Sequence, residues 1–167
     1  MKKIFIGLLI FVQLFFCASC FESSRYWYFD FKDLRIKYLE IGYLEEYYPE
    51  YGLYGGYEVF LIIEETVEKE ILIKELSSVK LKNTHIVAKT PVGNCVKIVL
   101  EDDSYYIMSI SGTAEYTASG EQKQPKAPGR ADRLHFLSIL SQYVELKDDG
   151  TWNQNELDSY CFSLKEN

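Results

Sequence analysis

The residues of this chain that could do chemistry fall into small, separate groups. Cys95 follows Gly93-Asn94 and would be a thiol nucleophile if His85 or His135 reached it as base. Glu101, Asp102 and Asp103 are adjacent carboxylates, able to hold a cation or to act as acid and base. Ser109 and Ser111 are hydroxyls one residue apart, and Tyr43, Tyr47, Tyr48, Tyr51, Tyr54 and Tyr57 crowd one segment. Each group also has a plainer reading. Adjacent acids bounded by apolar runs make a charged hairpin turn, alternate serines make a hydrogen-bonding strand face, and aromatic residues are at home in twisted sheets. There is no Gly-x-Ser-x-Gly elbow, no glycine loop to cradle phosphate and no His-Glu-x-x-His. A non-catalytic role is therefore the expectation, with Cys95 or Asp102 and Asp103 as the centre of any enzyme alternative, and no cofactor or metal is expected.

The elements that would position these residues follow from hydrophobic period. Trp27, Phe29 and Phe31 alternate with Tyr26, Tyr28 and Asp30, which predicts a strand from Arg25. Residues 33–48 fit either period and are read as extended, because Gly42 weakens a helix by about 1 kcal/mol relative to Ala. From Tyr57 to Gly112, short apolar runs predict antiparallel strands at Val59–Ile63, Ile71–Ile73, Val79–Leu81, His85–Ala88, Val96–Leu100 and Tyr105–Ile110. Residues 91–94 and 101–104 are turns between them, and a helix over Glu64 to Leu76 is an open alternative. Residues 117–129, with Gly120, Pro125 and Pro128, have the composition of a flexible loop. Phe136, Leu137, Leu140, Tyr143 and Val144 then take helical spacing, as do Leu157, Tyr160, Cys161 and Leu164. The expected architecture is α+β: a mostly antiparallel sheet packed against a C-terminal pair of helices.

The first twenty residues set the location. Lys2 and Lys3 precede a thirteen-residue apolar run from Ile4 to Phe16, and small residues Ala18 and Ser19 follow, the layout of a secretory signal. Cys17-Ala18-Ser19-Cys20 resembles the lipobox of bacterial lipoproteins, with Cys17 in place of the usual aliphatic residue. The resemblance covers residues 1–20 only and implies that Cys20 is lipidated and becomes the mature N-terminus. Residues 1–19 are then the signal peptide, 20–24 a tether and 25–167 a single domain. Two or more acyl chains would hold that domain at a membrane, whereas one is marginal. Release by ordinary cleavage and an uncleaved anchor are the other readings, the anchor because Ile4 to Phe21 is eighteen residues long with one strongly polar side chain, close to the minimum of the ~17–25 residues that span a bilayer.

Export decides how the remaining cysteines are read. In an oxidising compartment Cys95 and Cys161 either form a disulfide or stand as separate buried thiols; paired, they would add roughly 4 kcal/mol. Residues 145–156 look like the second half of an EF-hand loop, with Asp149, Gly150, Asn153 and Glu156 in register. Glu145 and Lys147 stand where that family has Asp or Asn, so an ordinary Asp-Gly turn is the better reading.

Charge bounds the partners. The chain carries 18 basic and 25 acidic residues, a net of −7, and loses Lys2 and Lys3 with the signal. That surface repels phosphate backbones, so no nucleic-acid partner is expected. Residues 38–68 hold eight glutamates and no Lys or Arg, which makes their tyrosines a candidate contact surface for a basic protein or peptide, or for a glycan. Six lysines from Lys69 to Lys97 reverse that balance, and strand pairing between the two segments would neutralise much of it. The expected role is non-catalytic binding or assembly at the cell envelope, periplasmic or surface-exposed. A secreted acidic inhibitor of a basic protein is the alternative.

Overall fold

The computed structural model describes residues 26–45, 47–48, 53–54, 56–83, 91–123 and 129–165. The signal, Cys20, the tether, the expected strand at His85–Ala88 and part of the 117–129 loop lie outside them. The fold is α+β with antiparallel sheets, as the periodicities predict.

Its frame is a six-stranded antiparallel sheet. The central strands β2 (Ile36–Leu44) and β7 (Gly93–Leu100) are flanked by β5 (Tyr57–Ile63) on one side. On the other lie β8 (Tyr105–Ser109), β9 (Thr113–Tyr116) and β10 (Gln122–Lys123). The turn expected at 101–104 joins β7 to β8, and Asp103 takes a left-handed φ of 63° there. The turn expected at 91–94 is shorter, because Gly93 and Asn94 already pair with β2 as Leu44↔Gly93 and Tyr43↔Asn94. A two-stranded ribbon, β3 (Tyr47–Tyr48) with β4 (Leu53–Tyr54), fills the β2–β5 connection.

One face of the sheet is closed. Leu39, Ile41, Ile63, Val96, Ile98 and Met108 share a buried core with helix α1 (Thr66–Leu76), helix α2 (Arg133–Leu140) and a three-stranded sheet. That small sheet runs β1 (Tyr26–Tyr28), β6 (Lys80–Asn83), β11 (Gly129–Ala131). Helix α3 (Gln154–Lys165) lies outside α2 and buries Leu157. The covering layer thus includes a helix from mid-chain as well as the C-terminal pair.

Two segments differ from the sequence reading. Ile71–Ile73, expected as a strand, lies within α1; Leu72 and Leu76, four residues apart, bury one helical face while Val67 and Ile71 stay exposed. Residues that sit one above the other at i and i+4 made the helical period win over a short apolar run. The first strand stops at Tyr28, short of Phe31. Asp30 Oδ1 accepts from the Lys32 amide at 3.1 Å and turns the chain. Phe29 and Phe31 still enter the core, their ring centroids 4.7 Å apart, with Tyr106 edge-on to Phe29.

Candidate functional site

The side chains of the opposite sheet face assemble a pocket. Strand alternation sends Val96 and Ile98 into the core, so their neighbours Cys95 and Lys97 point the other way. Register then places Lys97 beside Glu40 of β2 and Ile107 of β8, while Tyr105 pairs with Tyr116 of β9 and Leu44 with Tyr57 of β5. The result is a cavity of about 370 Å³ lined by Leu44, Tyr57, Lys97, Tyr105, Ile107 and Tyr116, with Gly56 and Gly120 also lining it. Its volume falls near the lower end of the ~300–1,000 Å³ of small-molecule sites.

Gly42 is what lets Tyr57 lie down over the sheet. A Cβ there would collide with the Glu58 carbonyl oxygen and meet the Tyr57 ring at 3.0 Å. The β2–β5 register shifts between Ile41 and Gly42 as well, a bulge that helps to aim the strand end. On the far side Gly120, beside the Tyr105 hydroxyl, takes a left-handed φ of +85° that favours glycine.

Lys97 is the electrostatic centre of the pocket. Its ammonium stands 3.2 Å from the Glu40 carboxylate, 4.8 Å from the Tyr105 ring centroid and 5.5 Å from that of Tyr57. The Tyr105 ring is occupied on its other face by Tyr116, stacked at 4.9 Å and 11°. Lysine, ring and ring therefore form one column. Glu40 itself is buried and accounts for its neighbours: burial first, then the nearby Cys95 and Glu40, push the Tyr57 phenol far above its ordinary range. Burial and Glu40 raise Tyr38 in the same way. Both phenols stay protonated.

The other groups singled out in the sequence have structural partners. Cys95 is fully buried and its thiol is pushed up to about 12, by burial above all, which removes the thiolate a nucleophile requires. His135 lies in α2, beyond the core, where Nε2 meets Ser78 Oγ at 2.8 Å and Nδ1 meets the Tyr160 hydroxyl at 3.3 Å. It does not serve Cys95; His85 is outside the described residues. Cys95 and Cys161 are free thiols. The sheet separates them: Cys95 faces the pocket side, and Cys161 sits on α3 above the covered face.

Asp102 caps its own turn, accepting from the Ser104 amide at 3.1 Å and the Ser104 hydroxyl at 2.6 Å, which holds its carboxyl below the usual range. Asp103 pairs with Lys37 at 2.8 Å. Ser109 and Ser111 hydrogen-bond each other at 2.9 Å and tie down the Gly112 backbone and Val92. In the loop read against an EF-hand, Asp149 accepts from Thr151 and Glu156 pairs with Arg133 at 2.8 Å. Among the described residues no group of three His, Cys, Asp or Glu side chains could hold a metal ion.

Of the two members of the tyrosine set whose side chains are described, Tyr57 lines the pocket. Tyr43 is half-buried under Lys147, whose ammonium stands 4.5 Å from its ring centroid and 3.2 Å from Glu58. Tyr51 lies outside the described residues, as do the side chains of Tyr47, Tyr48 and Tyr54. The reading missed Lys97, Tyr105, Tyr116, Leu44 and Ile107. One signal was present: Lys97 is the single charge in the run from Cys95 to Leu100, which marks a position where a strand face opens onto something polar. No family model matches the chain, and neither a curated protein nor a solved structure matches it.

Proposed function

We propose that this chain is an exported, lipid-tethered protein of the bacterial cell envelope that binds a small ligand in the sheet-face pocket without transforming it. The observation that carries the reading is the convergence of five strands on one concave, aromatic-lined space with Lys97 in it. Convergent polar groups in a mostly apolar pocket are the usual design of a small-molecule site. A non-catalytic role is supported by the buried, protonated Cys95, by the turn cap of Asp102 and by the ion pair of Asp103 with Lys37. The tether rests on Ala18-Ser19-Cys20 after the apolar run. The pocket replaces the acidic loop surface as the favoured contact, and the lysine at its centre weighs against a basic peptide as occupant.

The test has two parts. Protein isolated from the membrane fraction should have the mass of Cys20 to Asn167 plus acyl chains; an unlipidated mature mass in the soluble fraction would remove the tether. Small molecules extracted from envelopes of the producing cells should shift the amide signals of Lys97, Tyr105 and Ile107 in the full-length protein. Shifts that spare these residues would contradict the site.

A further inference from the structure

We infer that the pocket takes a neutral, hydroxyl-bearing ring, the chemistry of a sugar residue; the inference rests on the pocket being the binding site. Charge bookkeeping is the first argument. Lys97 and Glu40 cancel at 3.2 Å, and no other ionised side chain lines the cavity among the described residues. An anionic ligand would have to compete with Glu40 for the ammonium and give up its own hydration. A cationic ligand would meet Lys97 directly. A neutral ligand pays neither cost.

Hydrogen-bonding capacity is the second argument. An ammonium has three donors, and the Lys97 side chain is 22% exposed beside its bond to Glu40, so it can still donate into the cavity. The lining tyrosines Tyr57 and Tyr116 hold their hydroxyls buried in the pocket wall, and a phenol oxygen both donates and accepts once a ligand reaches it. Ligand hydroxyls have the same dual character and can match such groups in either direction. Shape is the third. Leu44 and Ile107 give an apolar surface for the C–H face of a ring, and about 370 Å³ is room for one ring rather than a chain of them. The Tyr105 ring already carries Lys97 and the stacked Tyr116.

Four ring-matched probes separate the possibilities: glucose and N-acetylglucosamine are neutral, glucuronate is anionic and glucosamine cationic. Benzoate serves as a planar anion without hydroxyls. Each is titrated into the full-length protein in detergent and followed by amide shifts of Lys97, Tyr105, Ile107 and Gly120. The expected result is that a neutral sugar binds at this site, tighter than glucuronate or glucosamine by roughly tenfold. Tyr57→Phe should keep the fold and weaken that binding several-fold. Tighter binding of glucuronate or benzoate at the same residues overturns the sugar inference while leaving the pocket as a site. If no probe shifts these residues, the sugar inference fails, and failure of envelope extracts to shift them fails the site itself.

Discussion

Glu40 and Lys97 face each other across the β2–β7 pair, carboxylate to ammonium at 3.2 Å, on the one sheet face that carries no helix from the shared core. The carboxylate is buried and the lysine mostly so. Removing one partner strands the other. Lys97→Met should lower stability by roughly 2 to 4 kcal/mol, somewhat under the ~3–5 kcal/mol of a fully enclosed pair because the lysine is partly exposed. Adding Glu40→Gln should recover about half or more of that loss. Urea unfolding of the single and double variants checks this, and strictly additive losses would contradict the pairing.

Asn94 spends its whole amide on one backbone residue. Its Nδ2 donates to the Lys147 carbonyl at 2.8 Å, and its Oδ1 accepts from the Lys147 amide at 3.0 Å. This bracket ties the α2–α3 connection to the sheet. Asn94→Ala should cost about 2 kcal/mol, two hydrogen bonds at a buried position. Hydrogen exchange at the Lys147 amide should accelerate well before that of the β7–β8 ladder; unchanged protection would mean the bracket does not hold the connection.

Gly93 and Gly150 separate two effects that glycine substitution usually mixes. Both have left-handed φ, +82° and +70°, but a Cβ at Gly93 would stand 2.6 Å from Asp149 Oδ2, whereas at Gly150 it meets open space. Gly150→Ala should cost ~1–2 kcal/mol, the backbone term alone. Gly93→Ala should cost more, and Asp149→Ala should return it to the Gly150 value. Equal losses in the two single variants would rule out the contact with Asp149.

Buried acids make the fold sensitive to base. The Cys95 thiol rises from an ordinary 9.0 to about 12, so the folded state holds its proton more tightly than the unfolded chain does. That contribution is fully present below pH 9 and is lost as pH climbs toward 12. Tyr143, raised to about 12 by burial and by its bond to Glu75, adds to the loss over the upper part of the window. Stability should therefore fall between pH 9 and 12, less steeply in Cys95→Ala. Thiol reagents at neutral pH should label the half-buried Cys161 in the native protein and reach Cys95 only after unfolding. Native labelling of Cys95 would contradict its burial.

The fold was largely legible because its signals are local. Val96–Leu100, the acidic turn and Tyr105–Ile110 read as a hairpin from alternation and turn chemistry alone, and the C-terminal helices from apolar spacing. Ile71–Ile73 misled because three apolar residues suit either period, and the deciding pair, Leu72 with Leu76, matters only once a core exists to receive it. The pocket was less legible for a different reason. Its parts come from residues 40 to 120, and nothing local says that Glu40 opposes Lys97 or that Tyr105 opposes Tyr116. Only register, set by the whole sheet, brings them together. Tyrosine density pointed to Tyr57 but equally to Tyr43, which the fold spends under Lys147.

The most direct test of the binding site is native mass spectrometry of the full-length protein released from its own membrane fraction. Wild type should carry a non-covalent adduct of small-molecule mass, and the charge-balanced variant Glu40→Gln with Lys97→Met, folded by its dichroism spectrum, should carry none. Identical adducts on both proteins would place the ligand elsewhere and contradict the sheet-face pocket as the functional site.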